Sequence, residues 1–92
     1  MHDYITQSQY DIMNQAYVLI NCDLGHEDEI IKSLKELEFV KEVDGTFGAY
    51  DIIAKVEADS TDKLRETITW KIRKMSKIRS TLTLMKVEGQ GE

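Results

Sequence analysis

The sequence has no proline and a single cysteine, Cys22, among 92 residues. Without proline, no helix is broken by one. A lone cysteine excludes an intramolecular disulfide and any cysteine-rich zinc site, and it fits an internal, reducing compartment. Histidine is scarce, with only His2 and His26. No apolar run approaches the length of a membrane span, and no signal-peptide pattern opens the chain. These absences lead us to expect a cytoplasmic protein. A basic excess is also missing. The net charge is −5, which argues against direct nucleic-acid binding, because such binders present a basic face.

What is present suits one small globular domain, with 41% hydrophobic and 32% charged residues. A domain of this size is marginal alone, so a subunit interface would help it. The centre of the pattern is the stretch from Val40 to Val56, VKEVDGTFGAYDIIAKV. Two strand-like segments flank a Gly-Ala pair, which predicts a β-hairpin. Gly48 suits the first central position of a type II′ turn, where φ is positive. Asp44-Gly45 is the rival turn, but it leaves two strands of very unequal length. With the turn at 48–49, Gly45 becomes a bulge or a point of close approach inside the first strand.

The other elements follow in order. Residues 1–15 are polar and weakly patterned, and read as a tail. Ala16 to Cys22 is a compact β-branched strand, apolar on both faces. After Gly25, Ile30, Ile31, Leu34 and Leu37 fall on one face of a helix, with Glu27, Asp28 and Glu29 in its first turn. The hairpin comes next. Ala58 to Asp62 is rich in capping residues, and Leu64, Ile68, Ile72 and Met75 mark the buried face of a second helix. Lys77 to Val87 is a last strand. It alternates between Ile78/Ser80/Leu82/Leu84 and Arg79/Thr81/Thr83/Met85/Val87.

The order β-α-β-β-α-β predicts an α+β, ferredoxin-like sandwich with both helices on one face of a four-stranded antiparallel sheet. The other face is left bare. We expect it to carry Thr81, Thr83 and Met85 with parts of the first and third strands. A bare, half-apolar face predicts association, most simply by two sheets packing across a two-fold axis, the dimeric α-β barrel arrangement.

Val40-x-x-Val43, then Thr46-x-Gly48-x-Tyr50-Asp51, then an apolar strand ending at Val56, resembles the effector domain of the Lrp/AsnC regulators, also called the RAM domain. Ile78-x-x-Thr81-x-Thr83 resembles the end of the same domain. The match spans roughly Ala16 to Val87, within a domain expected over residues 16–88 and followed by a short tail over 89–92. The usual member carries a helix-turn-helix before this domain. Here only residues 1–15 precede it, so a stand-alone effector domain without a DNA-binding domain is expected. The resemblance implies a homo-oligomer, either a dimer or an octamer, that binds free amino acids between dimers and works with full-length Lrp/AsnC regulators. By matching position, it points to Gly48, Ala49, Tyr50, Asp51, Thr81 and Thr83 as ligand-binding residues.

Elementary chemistry accommodates that assignment. N–H groups of a tight Gly-Ala turn can hold a carboxylate. Asp51 can pair with an ammonium. Thr81 and Thr83, two apart on a strand, offer two hydroxyls on one face. The same residues have a plainer explanation. Gly48 serves any turn, Tyr50 can pack across strands, Asp51 can cap the turn, and threonine is common in strands.

Other residues attract less. His26 stands beside three acids with no convergent ligands, so no metal is expected. Cys22 reads as a small buried hydrophobe. The five basic residues between Lys71 and Arg79 are accounted for by a helix C-terminus. Trp70 lies about 155° from the centre of its helix's apolar face, by the 100° rule, so it should point away from the sheet. It is either a surface residue or an anchor for a subunit contact, with Met85 a second interface candidate. The expectation is a non-enzymatic, amino-acid-sensing oligomerisation domain for transcriptional regulation, without cofactor, metal, membrane or direct nucleic-acid contact. The alternatives are a small dimeric α+β barrel enzyme of the monooxygenase or isomerase type, which needs acid–base groups between helices and sheet, and a ligand-free scaffold.

Overall fold

A computed structural model describes residues 14–86. The segments 1–13 and 87–92, the latter including the expected strand end at Val87 and the tail expected over 89–92, lie outside the described residues. The elements are β1 (Asn14–Cys22), α1 (Glu27–Lys35), β2 (Val40–Gly45), β3 (Ile52–Ala58), α2 (Thr61–Glu66, prolonged by Thr67–Ile72) and β4 (Ile78–Met85). They form one antiparallel sheet in the order β2-β3-β1-β4. This is the expected βαββαβ architecture. The first strand starts at Asn14 rather than Ala16, so residues 14 and 15 belong to the sheet and not to a tail.

α1 packs over β2 and β3, and α2 over β3 and β1. Ala16, Val18 and Ile20 of β1 meet Ile52, Ala54 and Val56 of β3 there, all fully buried. From α1, Ile30 and Leu34 complete this core, with Ile31 and Leu37 at its margin. The first-turn acids of α1 lie where the dipole favours them. Ser60 caps α2 by accepting a hydrogen bond at Oγ from the Lys63 N–H at 3.1 Å.

The second helix departs from regular α geometry. Over Thr67–Ile72 its turns widen, and the Arg73 N–H bonds the Ile68 carbonyl five residues back at 3.0 Å. Leu64, Ile68 and Ile72 are buried as their spacing predicts, and Met75 packs at the edge of the core. Thr67 is buried as well, which periodicity did not indicate. Its hydroxyl donates to the Lys63 carbonyl at 2.9 Å, and this local bond makes burial affordable.

The hairpin is the first correction. The turn is not a two-residue connection at Gly48-Ala49. Gly45 pairs with Ile52, and the Thr46 N–H bonds the Asp51 carbonyl at 2.8 Å, so the loop spans 46–51. The Thr46 hydroxyl closes it further by donating to the Tyr50 carbonyl at 2.7 Å. Gly48 does have positive φ, +113°. Gly45 is an ordinary strand residue, and the bulge in β2 falls between Val40 and Glu42 instead.

The second correction concerns β4. Its register against β1 pairs Thr81 with Ile20, Thr83 with Val18 and Met85 with Ala16. Paired residues share a face, so these three point to the helix side and not to the bare face. They sit beyond the reach of good helix cover, at the sheet edge, where hydroxyls are tolerated. The irregularity at Asn21/Cys22 causes this placement. Cys22 pairs with Ile78 and Asn21 with Ser80, which leaves Arg79 as the extra residue. A bulge there switches the alternation. The bare face therefore carries Leu82 and Leu84, 44% and 51% exposed, beside Tyr17, Leu19 and Ile53.

Candidate functional site

Asp51 occupies the point where the hairpin meets the end of β1. Its N–H bonds the Ile20 carbonyl at 2.9 Å, which extends β3's pairing by one residue. Its Oδ2 accepts from the Cys22 N–H at 3.0 Å. The bulge between Asn21 and Cys22 breaks the β1–β4 ladder at this end, and the carboxylate is the acceptor that engages this N–H. One oxygen of Asp51 is thus engaged in structure, and the other has no protein hydrogen bond among the described residues.

A cleft of about 370 Å³ opens beside this carboxylate, lined by Asn21, Cys22, Asp51, Arg79 and Ser80. That volume lies toward the low end of the roughly 300–1,000 Å³ usual for small-ligand sites. Being the extra residue of the bulge, Arg79 shares this cleft with its neighbour Ser80, although adjacent strand residues ordinarily diverge. Among the described residues, the guanidinium's ion pair is a loose, exposed contact with Asp23, Nε to Oδ1 at 3.9 Å. Such a pair contributes little and leaves the group available. The cleft therefore presents one anion and one cation, flanked by an amide and a hydroxyl.

Cys22, a buried free cysteine, also lines the cleft. Burial pushes its thiol pKa up, and the charges of Asp51, Glu27 and Asp23 push in the same direction. A thiol held neutral by desolvation is a poor nucleophile, in keeping with a packing role.

Of the ligand-binding residues expected from the sequence, Asp51 alone lines this cleft. Gly48 and Ala49 form the exposed outer part of the 46–51 loop, beside Phe47, which is fully exposed. Tyr50 is half-buried behind them. Thr81 lies across β1 from Asp51, paired with Ile20, and lines a neighbouring cleft with Arg73, Ile78, Arg79 and Ser80. Thr83 is two residues farther along and joins neither cleft. Within one chain, then, the Gly48-Ala49 turn and the two threonines do not converge. Sequence reading missed Asn21, Arg79 and Ser80. The only available signal was an Arg-Ser pair at the entry of a strand, and its meaning depends on the bulge.

Trp70 points away from the sheet, 62% exposed, as the helical wheel indicates. The Lys74 ammonium stands 4.7 Å from its ring centroid. Asp62, Arg65, Glu66 and Thr69 share a shallow groove with it. His26 Nδ1 meets Glu29 Oε1 at 3.2 Å, a local contact on α1. No group of three or more metal-ligating side chains occurs among the described residues. No helix among them is long and apolar enough to cross a membrane.

Comparison with known proteins places this geometry. The model of the Lrp/AsnC ligand binding domain matches residues 15–88. A hypothetical protein from Pyrococcus horikoshii, PHS023, is 39% identical over 82% of this chain and 90% of its own, with a TM-score of 0.78. The protein FFRP-DM1 is also 39% identical, over 82% of this chain and all of its own length, at the same TM-score of 0.78. Escherichia coli AsnC is 28% identical over 92% of this chain, which spans 56% of AsnC, with a TM-score of 0.78. Among curated proteins there is no match. With the family model covering both helices and the described sheet from residue 15 onward, the chain belongs to the Lrp/AsnC family and carries its ligand-binding domain.

Proposed function

We propose that this domain binds a free amino acid in the cleft between Asp51 and Arg79 and acts, without catalysis, by changing how copies of the chain assemble in transcriptional regulation. The carrying observation is the opposite charge of those two residues in one cleft. A zwitterion needs an acceptor for its ammonium and a donor for its carboxylate. The unengaged oxygen of Asp51 supplies the first. The Arg79 guanidinium supplies the second, with the Ser80 hydroxyl and the Asn21 amide beside it. Gly48, Ala49 and Tyr50, displaced from this cleft within the chain, are free to close a neighbouring copy's cleft, with the exposed Phe47 as the apolar contact. Thr81, which lines the adjoining cleft, then belongs to the site's outer margin, whereas Thr83 stays outside both clefts within one chain. A ligand held between copies shifts assembly only if it binds one assembly better than another.

The bare sheet face, with Leu82, Leu84, Tyr17 and Ile53, suits a two-fold dimer. Trp70 and Met85 suit contacts of a higher assembly, up to an octamer. Full-length Lrp/AsnC regulators sharing the same surfaces are the natural mixed partners, and the cytoplasm is the compartment. The helix–sheet interface supports a non-enzymatic role. Its one buried polar side chain among the described residues is Thr67, already bonded to its own helix, so no acid or base is placed there.

Thermal unfolding against a panel of amino acids tests the reading. A ligand at 100 times its Kd adds about 2.7 kcal/mol, which raises the midpoint of a domain this size by roughly 10 °C or more. The shift should vanish in Arg79→Ala. A flat panel overturns amino-acid binding and leaves a ligand-free scaffold.

A further inference from the structure

Charge is distributed very unevenly along this acidic chain. From residue 67 to 86 there are six Lys or Arg and no Asp or Glu, whereas the remainder holds six bases and all 17 acids. The fold gathers the arginines of the basic segment at one corner. Arg73, from the end of α2, and Arg79, from the bulge of β4, line one cleft of about 340 Å³ together with Ile78, Ser80 and Thr81. Arg79 and Ser80 also line the cleft that holds Asp51, so the two hollows meet along those residues. Arg73 makes no ion pair within 4.0 Å among the described residues, and the pair of Arg79 is the loose one with Asp23.

Two arginines lining one hollow raise its potential; no carboxylate lines that hollow, and the loose Asp23 contact offsets Arg79 alone. The remaining lining suits a short side chain ending in an anion. Ile78 offers an apolar wall for methylenes. The Ser80 and Thr81 hydroxyls and the planar Arg73 fork offer donors in the geometry a carboxylate accepts. We infer that the ligand is an acidic amino acid, its α-ammonium and α-carboxylate between Asp51 and Arg79 and its side-chain carboxylate against Arg73, Ser80 and Thr81. This rests on the amino-acid reading of the Asp51 cleft. It adds the discrimination that reading lacks, since a neutral side chain leaves Arg73 without a counter-charge and loses the charge-assisted contact.

Isothermal titration of the whole chain with L-glutamate, L-aspartate, L-glutamine and L-asparagine at near-physiological salt is the test. At least one acid should bind about tenfold or more tightly than its own amide, the factor expected for one charge-assisted hydrogen bond. Arg73→Gln should bring that ratio close to one while leaving the amide's affinity within about twofold. Arg73 is exposed, so the variant should keep the wild-type unfolding midpoint. Lys32→Gln, which removes an exposed charge on α1, should leave the ratio intact and so exclude a general charge effect. Equal binding of acid and amide by the wild type, or a ratio that survives Arg73→Gln, overturns the anion subsite and leaves the amino-acid cleft standing. Binding of none of the four, with a neutral amino acid of another kind giving heat, overturns the subsite alone. No heat with any amino acid removes both.

Discussion

Substituting Asp51 two ways separates what its carboxylate does for the fold from what it does for a ligand. Asp51→Ala removes the acceptor of the Cys22 N–H, a 3.0 Å bond at the broken end of the β1–β4 ladder. A partly buried donor left without a partner costs about 1–3 kcal/mol. At roughly 4–8 °C per kcal/mol for a domain this size, the unfolding midpoint should fall by about 4–24 °C. Asp51→Asn keeps an oxygen where Oδ2 stands, so its midpoint should stay within about 2 °C of wild type. The charge is lost in both variants. Losing a charged partner for the ammonium costs about 1.5–3 kcal/mol, or roughly 10–150-fold in Kd. Circular dichroism melts at a fixed protomer concentration report the first quantity, since assembly makes the midpoint concentration-dependent. Calorimetric titration with whichever amino acid stabilises the wild type reports the second. The reasoning fails on the structural side if Asn melts as low as Ala. It fails on the binding side if Asn binds as wild type does.

Four further outcomes are expected. Gly48→Ala meets no neighbouring atom within 4 Å but must adopt φ near +113°, so it should cost about 1–3 kcal/mol through the backbone alone. Urea unfolding should show this as a lower midpoint with an unchanged m-value. The raised pKa of Cys22 means the folded chain holds the thiol proton more tightly than the unfolded chain does. The unfolded thiol ionises first as pH rises past the ordinary thiol range, so stability should fall there, and Cys22→Ser should weaken that fall in pH-dependent melts. Leu84→Lys on the bare sheet face should lower the sedimenting mass to that of a monomer. Trp70→Ala, on the outer face of α2, should remove only assemblies larger than a dimer. An unchanged mass in either variant removes that residue from an interface.

The elements were largely legible before folding, for local reasons. The Ile30/Leu34 and Leu64/Ile68/Ile72 spacings mark helices because 3.6 residues make a turn, and the capping serine at Ser60 marks where the second begins. The same rule correctly aimed Trp70 outward. The Thr46-x-Gly48-x-Tyr50-Asp51 stretch indicated the hairpin and the family. It did not reveal the loop's length, because the bonds that close the loop are the Thr46 hydroxyl on Tyr50 and the backbone pair with Asp51. Composition and spacing do not encode those choices. The site was half legible. Asp51 stood out beside a turn, whereas Arg79 and Ser80 looked like the ordinary start of a strand.

Sequence by itself determined the element types, their order, the apolar faces of both helices and the existence of an uncovered sheet face, because each depends on periodicities within a few residues. Tertiary structure decided which row of β4 occupies that face. Alternation in a strand defines two rows but not which is inward, and a single extra residue exchanges them. The bulge at Arg79 makes that exchange, sending Thr81, Thr83 and Met85 to the helix side and Leu82 and Leu84 to the open one. That extra residue, Arg79, lines the cleft of Asp51, 28 residues earlier in the chain, so the two opposite charges share one cleft through register between strands and through nothing local to either residue.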